Sequence, residues 1–384
     1  MPEIATIATI VAADRRGGAA PAKRPPAGGT RWLYAYNPVT MPAARITLDE
    51  VARRAGVSRM TVSNVYGHPE RVAPATAARV RAAARDLDYG GPSPVGRTLR
   101  RGRTGVLGVL LRDPLPYAFT DPGAVELLRG LARGADECGL SVQLMDATGD
   151  AGPTRVADAA VDAFVAWSLT ADEPGLDAAI ARRVPVVALG GADDLDGIPY
   201  LASDNRGGAA AAAQHLVDRG VARVALVLAR TAPKELRDRV DGWRDALRRA
   251  GVAEHHVLDV RRPANNRAEG AAAADVVLAA RRDDPRARWG VLALTDVLAL
   301  GVLGRLRAAG VDVPGQCAVV GFDDVEEAAS ATPSLTTVRQ DLFGLGRSAA
   351  LRAAGRPAGP PTPRPTELVV RASTAGPDRR RDSP

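Results

Sequence analysis

Residues 46–103 read ITLDEVARRAGVSRMTVSNVYGHPERVAPATAARVRAAARDLDYGGPSPVGRTLRRGR, and they decide the fold of the N-terminal part of the chain. Thr47 and Glu50 have the spacing of a capping box, which satisfies two backbone amides at the start of a helix. Gly56 stands where a helix can end in the left-handed conformation, and Ser58 is suited to cap the next helix. The stretch therefore begins with two short helices joined by a tight glycine turn.

The second helix is predicted over about residues 58–66, with Val62 and Val65 on its buried side. Its exposed N-terminal face then carries Arg59, Met60, Thr61, Ser63 and Asn64. A third helix is predicted from Pro74, because proline is favoured at the first helical position. A second helix that presents its first turns to base edges is the recognition helix of a helix-turn-helix. We therefore predict a three-helix DNA-binding domain over residues 45–90.

The charge of this region supports contact with nucleic acid. Residues 45–103 contain 12 arginines and 5 acidic residues, a net charge of +7, which equals that of the whole chain. The first 44 residues add +3, so the remaining 281 residues carry −3. A small three-helix unit need not touch DNA, but positive charge concentrated on it is what phosphate contacts require. A double-stranded DNA operator is therefore the expected partner.

The motifs TLDEVARRAGVSRMTVSNV, RVAPATAARVRAAARDLDY and PSPVGRTLRRGRTGVLGV closely resemble the lactose-repressor (LacI) family of bacterial transcription regulators. The resemblance continues through LTTVRQDLFGLGRSAA and TELVVRAST, so it covers about residues 45–374. It implies a repressor that binds a pseudo-palindromic operator and responds to a small-molecule effector. Because twofold protein symmetry matches two half-sites, the expected assembly is a homodimer.

The resemblance also implies roles for individual residues of the helix-turn-helix. Arg59 and Met60 match the first two base-reading positions, and Asn64 matches the third, where arginine is frequent. Since asparagine pairs best with adenine and arginine with guanine, the operator is expected to differ from the commonest half-site of the family. The other DNA contacts expected in this domain are Thr47, Thr61 and Ser63.

Residues 91–103 match the hinge helix of the family. Leu99 matches the leucine that inserts into the central minor groove, where apolar wedges unstack a base step and bend the duplex. Val95 and Arg97 are expected to contact DNA beside it. Gly96 stands where alanine is usual and lowers helix propensity by about 1 kcal/mol. This hinge helix is therefore expected to depend more on DNA to form.

After residue 103 the pattern changes to short apolar runs that alternate with alanine- and leucine-rich helical stretches, such as VLGVLL followed by AVELLRGLARGADECGL. This βαβ alternation is typical of open parallel sheets. The resemblance implies a periplasmic-binding-protein-like α/β effector-binding and dimerisation domain over residues 104–374, with two doubly wound parallel-sheet subdomains. The first subdomain is predicted at about 104–201 and 335–354, and the second at about 202–334 and 355–374.

Several positions match effector contacts of the family, in the cleft between the subdomains. Arg239 matches the arginine that holds effector hydroxyls or a carboxylate. Asp323 matches an acidic contact at the carboxyl end of a strand, where open α/β sheets bind ligands. Thr295 and Asp296 match the residue pair after the preceding strand, although Asp296 is equally suited to capping the helix that follows.

Two departures from sugar-binding members leave the effector class open. Gly190 stands where such members carry an acid, and Asn265 falls near the position of a stacking aromatic residue. Tyr117 and Phe119, in a long loop after the first strand of the large domain, are expected to supply an apolar wall from the opposite subdomain. The expected effector is a small molecule, either a sugar or a related metabolite.

Other features limit the remaining classes of function. The chain lacks G-x-x-x-x-G-K-[ST], H-E-x-x-H, C-x-x-C and G-x-S-x-G, so no enzyme, catalytic residue, cofactor or metal site is predicted. Cys138 and Cys317 lie far apart without metal-ligand spacing, which favours buried thiols in a reducing cytoplasm. No apolar run reaches the ~18 residues of a membrane helix. A cytoplasmic, nucleoid-associated protein with no membrane partner is expected.

The two ends of the chain are predicted to be disordered. Residues 1–44 are rich in alanine, glycine and proline, and residues 375–384 form a short polar tail. Met41 stands at the family's usual distance from the first helix, so translation is expected to begin there. A basic arm that adds nonspecific DNA affinity is the alternative. Because the C-terminal region has no heptad repeat, a dimer is favoured over a tetramer.

Three hypotheses follow from the sequence. The leading one is an effector-controlled dimeric repressor, and the second is an effector-independent DNA-bending regulator with an inactive binding domain. The third, a solute-binding protein or enzyme, predicts normal ligand handling after deletion of residues 1–103. The effector, the operator sequence, the regulated genes and the choice between induction and corepression do not follow from the sequence.

Overall fold

A computed structural model describes residues 46–91, 102–191, 195, 197–229, 233–359 and 363–375 of the 384-residue chain. The chain divides into two compact units, with the boundary after residue 93. No helix within these ranges is both long enough and apolar enough to cross a lipid bilayer. The extension at residues 1–44, most of the predicted hinge and most of the tail lie outside the described residues.

The N-terminal unit contains three helices: α1 (Leu48–Ala55), α2 (Arg59–Gly67) and α3 (Pro74–Asp86), with a 3₁₀ turn at Pro69–Arg71. Thr47 and Glu50 form the predicted capping box. The Glu50 carboxylate accepts the Thr47 N–H at 2.7 Å, and Thr47 Oγ1 accepts the Glu50 N–H at 3.3 Å. Gly56 has a φ of +63°, which lets the chain turn directly from α1 towards α2.

The core of this unit is small and aliphatic. Val51, Val62 and Val80, one from each helix, are completely buried against each other. The third helix begins at Pro74 as predicted, but its capping residue, Ala73, makes no side-chain hydrogen bond. The helix-turn-helix predicted from the sequence is confirmed. Of its three helices, α1 and α2 have side-chain caps at their N-termini and α3 has none.

The C-terminal unit begins with a five-stranded parallel sheet. Its elements in chain order are β1 (Val106–Leu111), α4 (Leu115–Ala118), α5 (Pro122–Glu137), β2 (Ser141–Asp146), α6 (Gly152–Asp158), β3 (Ala163–Trp167), α7 (Pro174–Ala181), β4 (Val186–Leu189) and β5 (Tyr200–Leu201). The strand order is β2-β1-β3-β4-β5. The central strands are almost entirely apolar and buried, because helices cover both faces of a parallel sheet.

A second parallel sheet follows. Its region contains α8 (Asn205–Asp218), β6 (Arg223–Ala229), α9 (Lys234–Arg249), a 3₁₀ turn (Glu254–His256), β7 (Val257–Arg262), α10 (Arg267–Asp283), β8 (Trp289–Ala293), α11 (Asp296–Ala308), β9 (Cys317–Val320), α12 (Glu326–Ser330), β10 (Thr337–Arg339), α13 (Leu342–Ala353) and β11 (Glu367–Val369). The strand order is β7-β6-β8-β9, and β10 pairs with β11 antiparallel. The predicted fold class, two doubly wound parallel-sheet subdomains, is confirmed.

The return of the chain to the first subdomain comes later than predicted. Residues 335–339 were assigned to the first subdomain, but Leu335 and Val338 are completely buried in the core of the second. The Gly321 N–H donates to the Thr336 carbonyl at 2.9 Å, which extends the second sheet beside β9. The crossover therefore follows Arg339, and α13 is the segment that returns.

Close helix packing holds α13 on the first subdomain. A Cβ built on Gly130 of α5 would lie only 2.0 Å from the Phe343 carbonyl oxygen of α13. A Cβ built on Gly346 of α13 would lie 2.2 Å from the Leu127 carbonyl oxygen of α5. Glycine at these two positions lets the backbones of the two helices approach closely, which holds α13 against the first subdomain.

Candidate functional sites: the recognition helix and the cleft

The N-terminal half of α2 presents the face that a recognition helix requires. The hydroxyl of Ser58 caps the helix by accepting an N–H of its first turn at 3.1 Å. Val62 and Val65 are buried on one side of the helix. On the other side, Met60 is 68% exposed, and the side chain of Arg59 is exposed to the same extent. The first turn of α2 is therefore open to a DNA groove.

The other candidate DNA contacts differ in how they are held. Arg59 Nε lies 3.8 Å from the Asp49 carboxylate, but exposed pairs of this kind contribute little, so Arg59 can turn towards DNA. Thr61 Oγ1 lies 2.9 Å from the hydroxyl of the cap residue, and Ser63 and Asn64 are half-buried. Of the remaining predicted contacts, Thr47 is engaged in the capping box, and Val95, Arg97 and Leu99 lie outside the described residues.

The second candidate site is a cavity of about 780 Å³ between the two parallel sheets of the C-terminal unit. Trp167 and Gly190 line it from the carboxyl ends of β3 and β4, while Ala229 and Thr295 line it from the ends of β6 and β8. Ligands of open α/β sheets bind at such edges, and here two edges face one another. Small-molecule sites usually enclose roughly 300–1,000 Å³, so the cavity has a suitable size.

Arg239 lines this cavity from α9 and is only 4% exposed. Its Nε donates to Asn205 Oδ1 at 2.9 Å, and its Nη1 donates to the Leu294 carbonyl at 2.5 Å. Its Nη2 lies 3.2 Å from Asp323 Oδ1, and its guanidinium carbon lies 3.7 Å from the centre of the Phe322 ring. Each nitrogen therefore has a protein partner, so Arg239 primarily positions Asn205 and Asp323.

Asp323 is buried and strained at the carboxyl end of β9. Its φ of +117° lies in a region that residues other than glycine rarely adopt. The Gln340 amide donates to its Oδ1 at 2.6 Å. Burial raises the pKa of Asp323 to about 6 even though Arg239 favours the charged form, and repulsion from Asp121 adds to the increase. Strain and a perturbed carboxyl in one cleft are typical of a functional site.

Asn265 connects the two subdomains across the cavity. Its Nδ2 donates to the Tyr117 hydroxyl oxygen at 2.6 Å and to Asp121 Oδ2 at 3.1 Å, while its Oδ1 accepts the Thr295 hydroxyl at 2.5 Å. The Tyr117 hydroxyl donates to Asp121. Burial, with the Asp121 charge beside it, raises the pKa of Tyr117. Tyr117 thus lines the cavity with an apolar ring, and its hydroxyl is already hydrogen-bonded to Asp121 and Asn265.

Glu235 makes a second bridge across the cavity. From the first turn of α9, its carboxylate accepts the Gly191 N–H at 2.7 Å and the Ser168 hydroxyl. A Cβ built on Gly190 would lie 3.0 Å from this carboxylate. Position 190 itself has no acid, as the sequence shows, but a carboxylate from the opposite subdomain occupies the space beside it.

Two predicted effector contacts do not line the cavity. Asp296 is completely buried, with Oδ2 accepting the Val325 N–H at 2.9 Å and Oδ1 accepting the Thr337 hydroxyl at 2.6 Å. Burial, with repulsion from Asp323, raises the pKa of Asp296. This carboxyl links β10 to the start of α11, so its role is structural. Phe119 is 65% exposed and outside the lining, because it follows α4 on the solvent side.

The sequence analysis did not identify several residues that line the cavity: Asp121, Trp167, Ser168, Asn205, Glu235 and Gln340. Trp167 and Ser168 stand at the carboxyl end of β3, so the general rule for ligand sites in open sheets was an available signal. Asp121 caps α5 by accepting the Gly123 N–H at 2.9 Å, and such caps are too common to indicate a ligand site.

Metal-ligand side chains and thiols are the other candidate site groups among the described residues. Within the part of the chain that the structure describes, no group of three or more His, Cys, Asp or Glu side chains is placed to hold a metal ion. Cys138 is partly exposed and Cys317 is buried, and both are unpaired thiols. Burial raises the pKa of Cys317 to about 12, which keeps this thiol protonated.

Comparisons with known proteins agree with this geometry. Residues 47–91 match the model for bacterial regulatory proteins of the lacI family, and residues 213–374 match a periplasmic binding protein-like domain. The chain is 34% identical over 329 residues to an HTH-type transcriptional regulator of Mycobacterium tuberculosis, covering 80% of this chain and 90% of that protein. It is 32% identical over 311 residues to the ribose operon repressor of Escherichia coli, covering 79% and 90%.

Among solved structures, a lac repressor dimer bound to operator and an anti-inducer has a TM-score of 0.71 at 24% identity, over 86% of this chain and 100% of that chain. This similarity shows a shared fold. A helix-turn-helix unit followed by a two-subdomain periplasmic binding protein-like domain defines a DNA-binding transcriptional regulator rather than an enzyme. The chain belongs to the lacI family of bacterial regulatory proteins.

Proposed function

We propose that the chain is a dimeric repressor that binds a pseudo-palindromic operator under the control of a small-molecule effector in the cleft. The exposed first turn of α2 carries this proposal, because Arg59 and Met60 are presented to solvent beside a buried aliphatic core. The protein acts in the cytoplasm on DNA of the nucleoid. Two copies supply two recognition helices, which is why the operator has two half-sites.

Each base-reading position suits a particular base. Arg59 is suited to guanine, Met60 to the methyl group of thymine, and Asn64 to adenine. Supporting contacts come from Thr47, Thr61 and Ser63, and the hinge contributes Val95, Arg97 and the minor-groove wedge Leu99.

The effector site comprises Arg239, Thr295, Asp323 and Tyr117. Arg239 positions Asn205 and Asp323, and Gln340 also donates to Asp323. The size of the cavity and its position at two strand edges support a small polar ligand. The similarity to a ribose operon repressor favours a sugar or a related metabolite.

Control of DNA binding follows from closure of the cleft. The bridges made by Asn265 and Glu235 hold the subdomains together, and a ligand that adds to or replaces them changes the closed population. Such a shift moves the paired hinge segments of the dimer. Induction and corepression are both compatible with this geometry, since each requires only a difference in ligand affinity between two states.

Selection from random double-stranded DNA with the purified chain tests the proposal. The expected product is an inverted repeat, and Asn64→Ala should relax base preference at one position in each half-site, at about 1–3 kcal/mol of discrimination. Ser330→Ala, an exposed change in the C-terminal unit, is the matched control and should return the wild-type sequence. A consensus without twofold symmetry, or one unchanged by Asn64→Ala, would contradict the assignment.

A further inference from the structure

More acidic than basic side chains line the cavity. Its lining contains the acids Asp113, Asp121, Glu235, Asp323 and Glu327, and the bases Arg112, Arg239 and Arg267. A binding site for an anionic molecule normally offers cationic groups with unused hydrogen-bond donors. Among the described residues, these three arginines are the cations of the lining that could hold an anion.

Each of the three arginines is either paired with protein groups or exposed. Arg239 has a protein partner on each nitrogen. Arg112 lies 3.6 Å from the Glu173 carboxylate, with both side chains mostly buried. Arg267 is exposed at the start of α10, where water screens its charge. An anionic ligand would thus enter a cleft whose positive charge is already compensated.

Two carboxylates from opposite subdomains face the same space. A Cβ built on Gly123 would lie 3.4 Å from Asp121 Oδ1 and 3.5 Å from Asp323 Oδ2. Asp121 is 8% exposed and the side chain of Asp323 is 9% exposed. The hydrogen bonds that Asp121 accepts come from neutral groups. Within the described part of the chain, the buried cation that contacts this pair of carboxylates is Arg239, through Asp323.

A second, independent observation points to a ligand. Ser203 is 5% exposed and lines the same cavity, and its buried hydroxyl has no hydrogen-bond partner among the described residues. A buried hydroxyl without a partner is costly, so a ligand hydroxyl beside it would be stabilising. Many donors of the wall, including those of Asn205, Asn265 and Gln340, are already bonded to protein. The wall is therefore rich in acceptors and poor in donors.

We propose that the cleft takes a hydroxyl-bearing small molecule with a protonated amine, and that the amine binds between Asp121 and Asp323. An ammonium group supplies the missing positive charge, and charge-assisted hydrogen bonds to carboxylates are about twice as strong as neutral ones. A neutral molecule of the same shape leaves one buried carboxylate uncompensated, and a carboxylate-bearing one adds a further repulsive charge. This inference rests on the proposed function, since it names the chemical class of the effector.

Matched compounds test the charge preference on the intact chain. Each set shares one carbon skeleton and carries a hydroxyl, a protonated amine or a carboxylate at one position, as in glucose, glucosamine and glucuronate and their epimers. In the preferred set, calorimetry should show the amine binding at least tenfold tighter than the hydroxyl compound, and the carboxylate compound failing to bind. Tighter binding of a neutral or anionic member, or no binding by any amine, would overturn the proposal.

A charge-removing variant locates the amine. Asp121→Asn keeps the shape of the side chain but removes its charge and the Oδ2 acceptor of Tyr117 and Asn265. It should therefore weaken binding of the amine compound at least tenfold more than binding of the hydroxyl compound. Asp177→Asn, an exposed change on α7, is the control and should leave both affinities unaltered. Equal losses for both compounds in Asp121→Asn would show a structural role and contradict the proposal. If a neutral compound alters operator binding, the proposed function stands and only the amine assignment fails.

Discussion

The recognition helix and the cleft are built in opposite ways. The candidate DNA contacts of α2 lie within six consecutive residues, 59–64, and its outward side chains reach solvent, as Met60 does at 68% exposure. The cleft draws its polar groups from distant segments, and they are bonded to one another; Arg239 is 4% exposed. The recognition helix is therefore a local exposed surface, whereas the cleft is an internal hydrogen-bond network that joins two subdomains.

The difference has an energetic consequence. Removing an exposed side chain of α2 should remove a proposed contact with DNA and leave the folded unit nearly unchanged. Removing a side chain of the cleft leaves buried partners unsatisfied, so it changes stability as well as ligand binding.

The largest effect is expected from Arg239→Ala. The variant leaves Asp323 buried without its counter-ion and should lower the free energy of unfolding of the C-terminal unit by about 3–5 kcal/mol. Denaturant titration of the intact chain, followed by tryptophan fluorescence, measures this loss. Arg129→Ala, which breaks an exposed pair with Glu126, is the control and should cost less than about 1 kcal/mol. Similar losses in the two variants would show that removing a buried arginine of the cleft costs no more than removing an exposed one.

The next effect is a pH dependence from Asp323. Its pKa is about 6 in the folded chain against 3.8 without the fold, so between about pH 4 and 6 the unfolded chain releases this proton first. The stability of the wild type relative to Asp323→Asn should therefore fall as pH rises through this window, by no more than about 3 kcal/mol, and then stay constant. Unfolding titrations of both proteins at several pH values give the difference. A relative stability that rises with pH would show that Arg239 overcomes burial.

A smaller effect is expected at the Glu235 bridge. Glu235→Ala removes the acceptor of the Gly191 N–H and the Ser168 hydroxyl and should cost about 1–2 kcal/mol. The cleft should also open, which small-angle scattering would show as a larger radius of gyration. Glu254→Ala removes a mostly exposed carboxylate and should change neither quantity. An unchanged radius in Glu235→Ala would mean that other contacts suffice to close the cleft.

The smallest effect lies in the DNA-binding unit. Ala73 begins α3 without a side-chain cap, so Ala73→Ser should stabilise this helix by about 1 kcal/mol. Hydrogen exchange of the α3 amides should slow about fivefold. Ala78→Ser, an exposed change within the same helix, should instead speed exchange slightly, because serine is a poorer helix former than alanine. Faster exchange in both variants would rule out the capping explanation.

Structural features whose signal lies in neighbouring residues could be predicted from the sequence. The capping box of Thr47 and Glu50, the turn at Gly56 and the cap at Ser58 all lie within a few residues of the groups they satisfy. The alternation of strands and helices gave the class of the large domain because each βαβ unit repeats the same local pattern.

Sequence reasoning failed where partners are far apart in the chain. Asn265 and Tyr117 are 148 residues apart in the sequence, and Glu235 and Ser168 are 67 apart. No local sequence pattern therefore predicts either bridge. The family resemblance predicts Asp296 in the effector site, with helix capping as the alternative, but its carboxyl lies in a buried hydrogen-bond network. Phe119 was assigned by residue type, which does not determine the side of α4 that its ring faces.

The central claim is that the cleft controls the recognition helices, and the coupling between the two ligands tests it most directly. Operator affinity would be measured with and without the tightest cleft ligand, and ligand affinity with and without operator. The account predicts a change of at least fivefold in operator affinity and, by thermodynamic reciprocity, the same factor in ligand affinity. Operator affinity that does not change when the cleft is saturated would contradict the account and identify an effector-independent regulator.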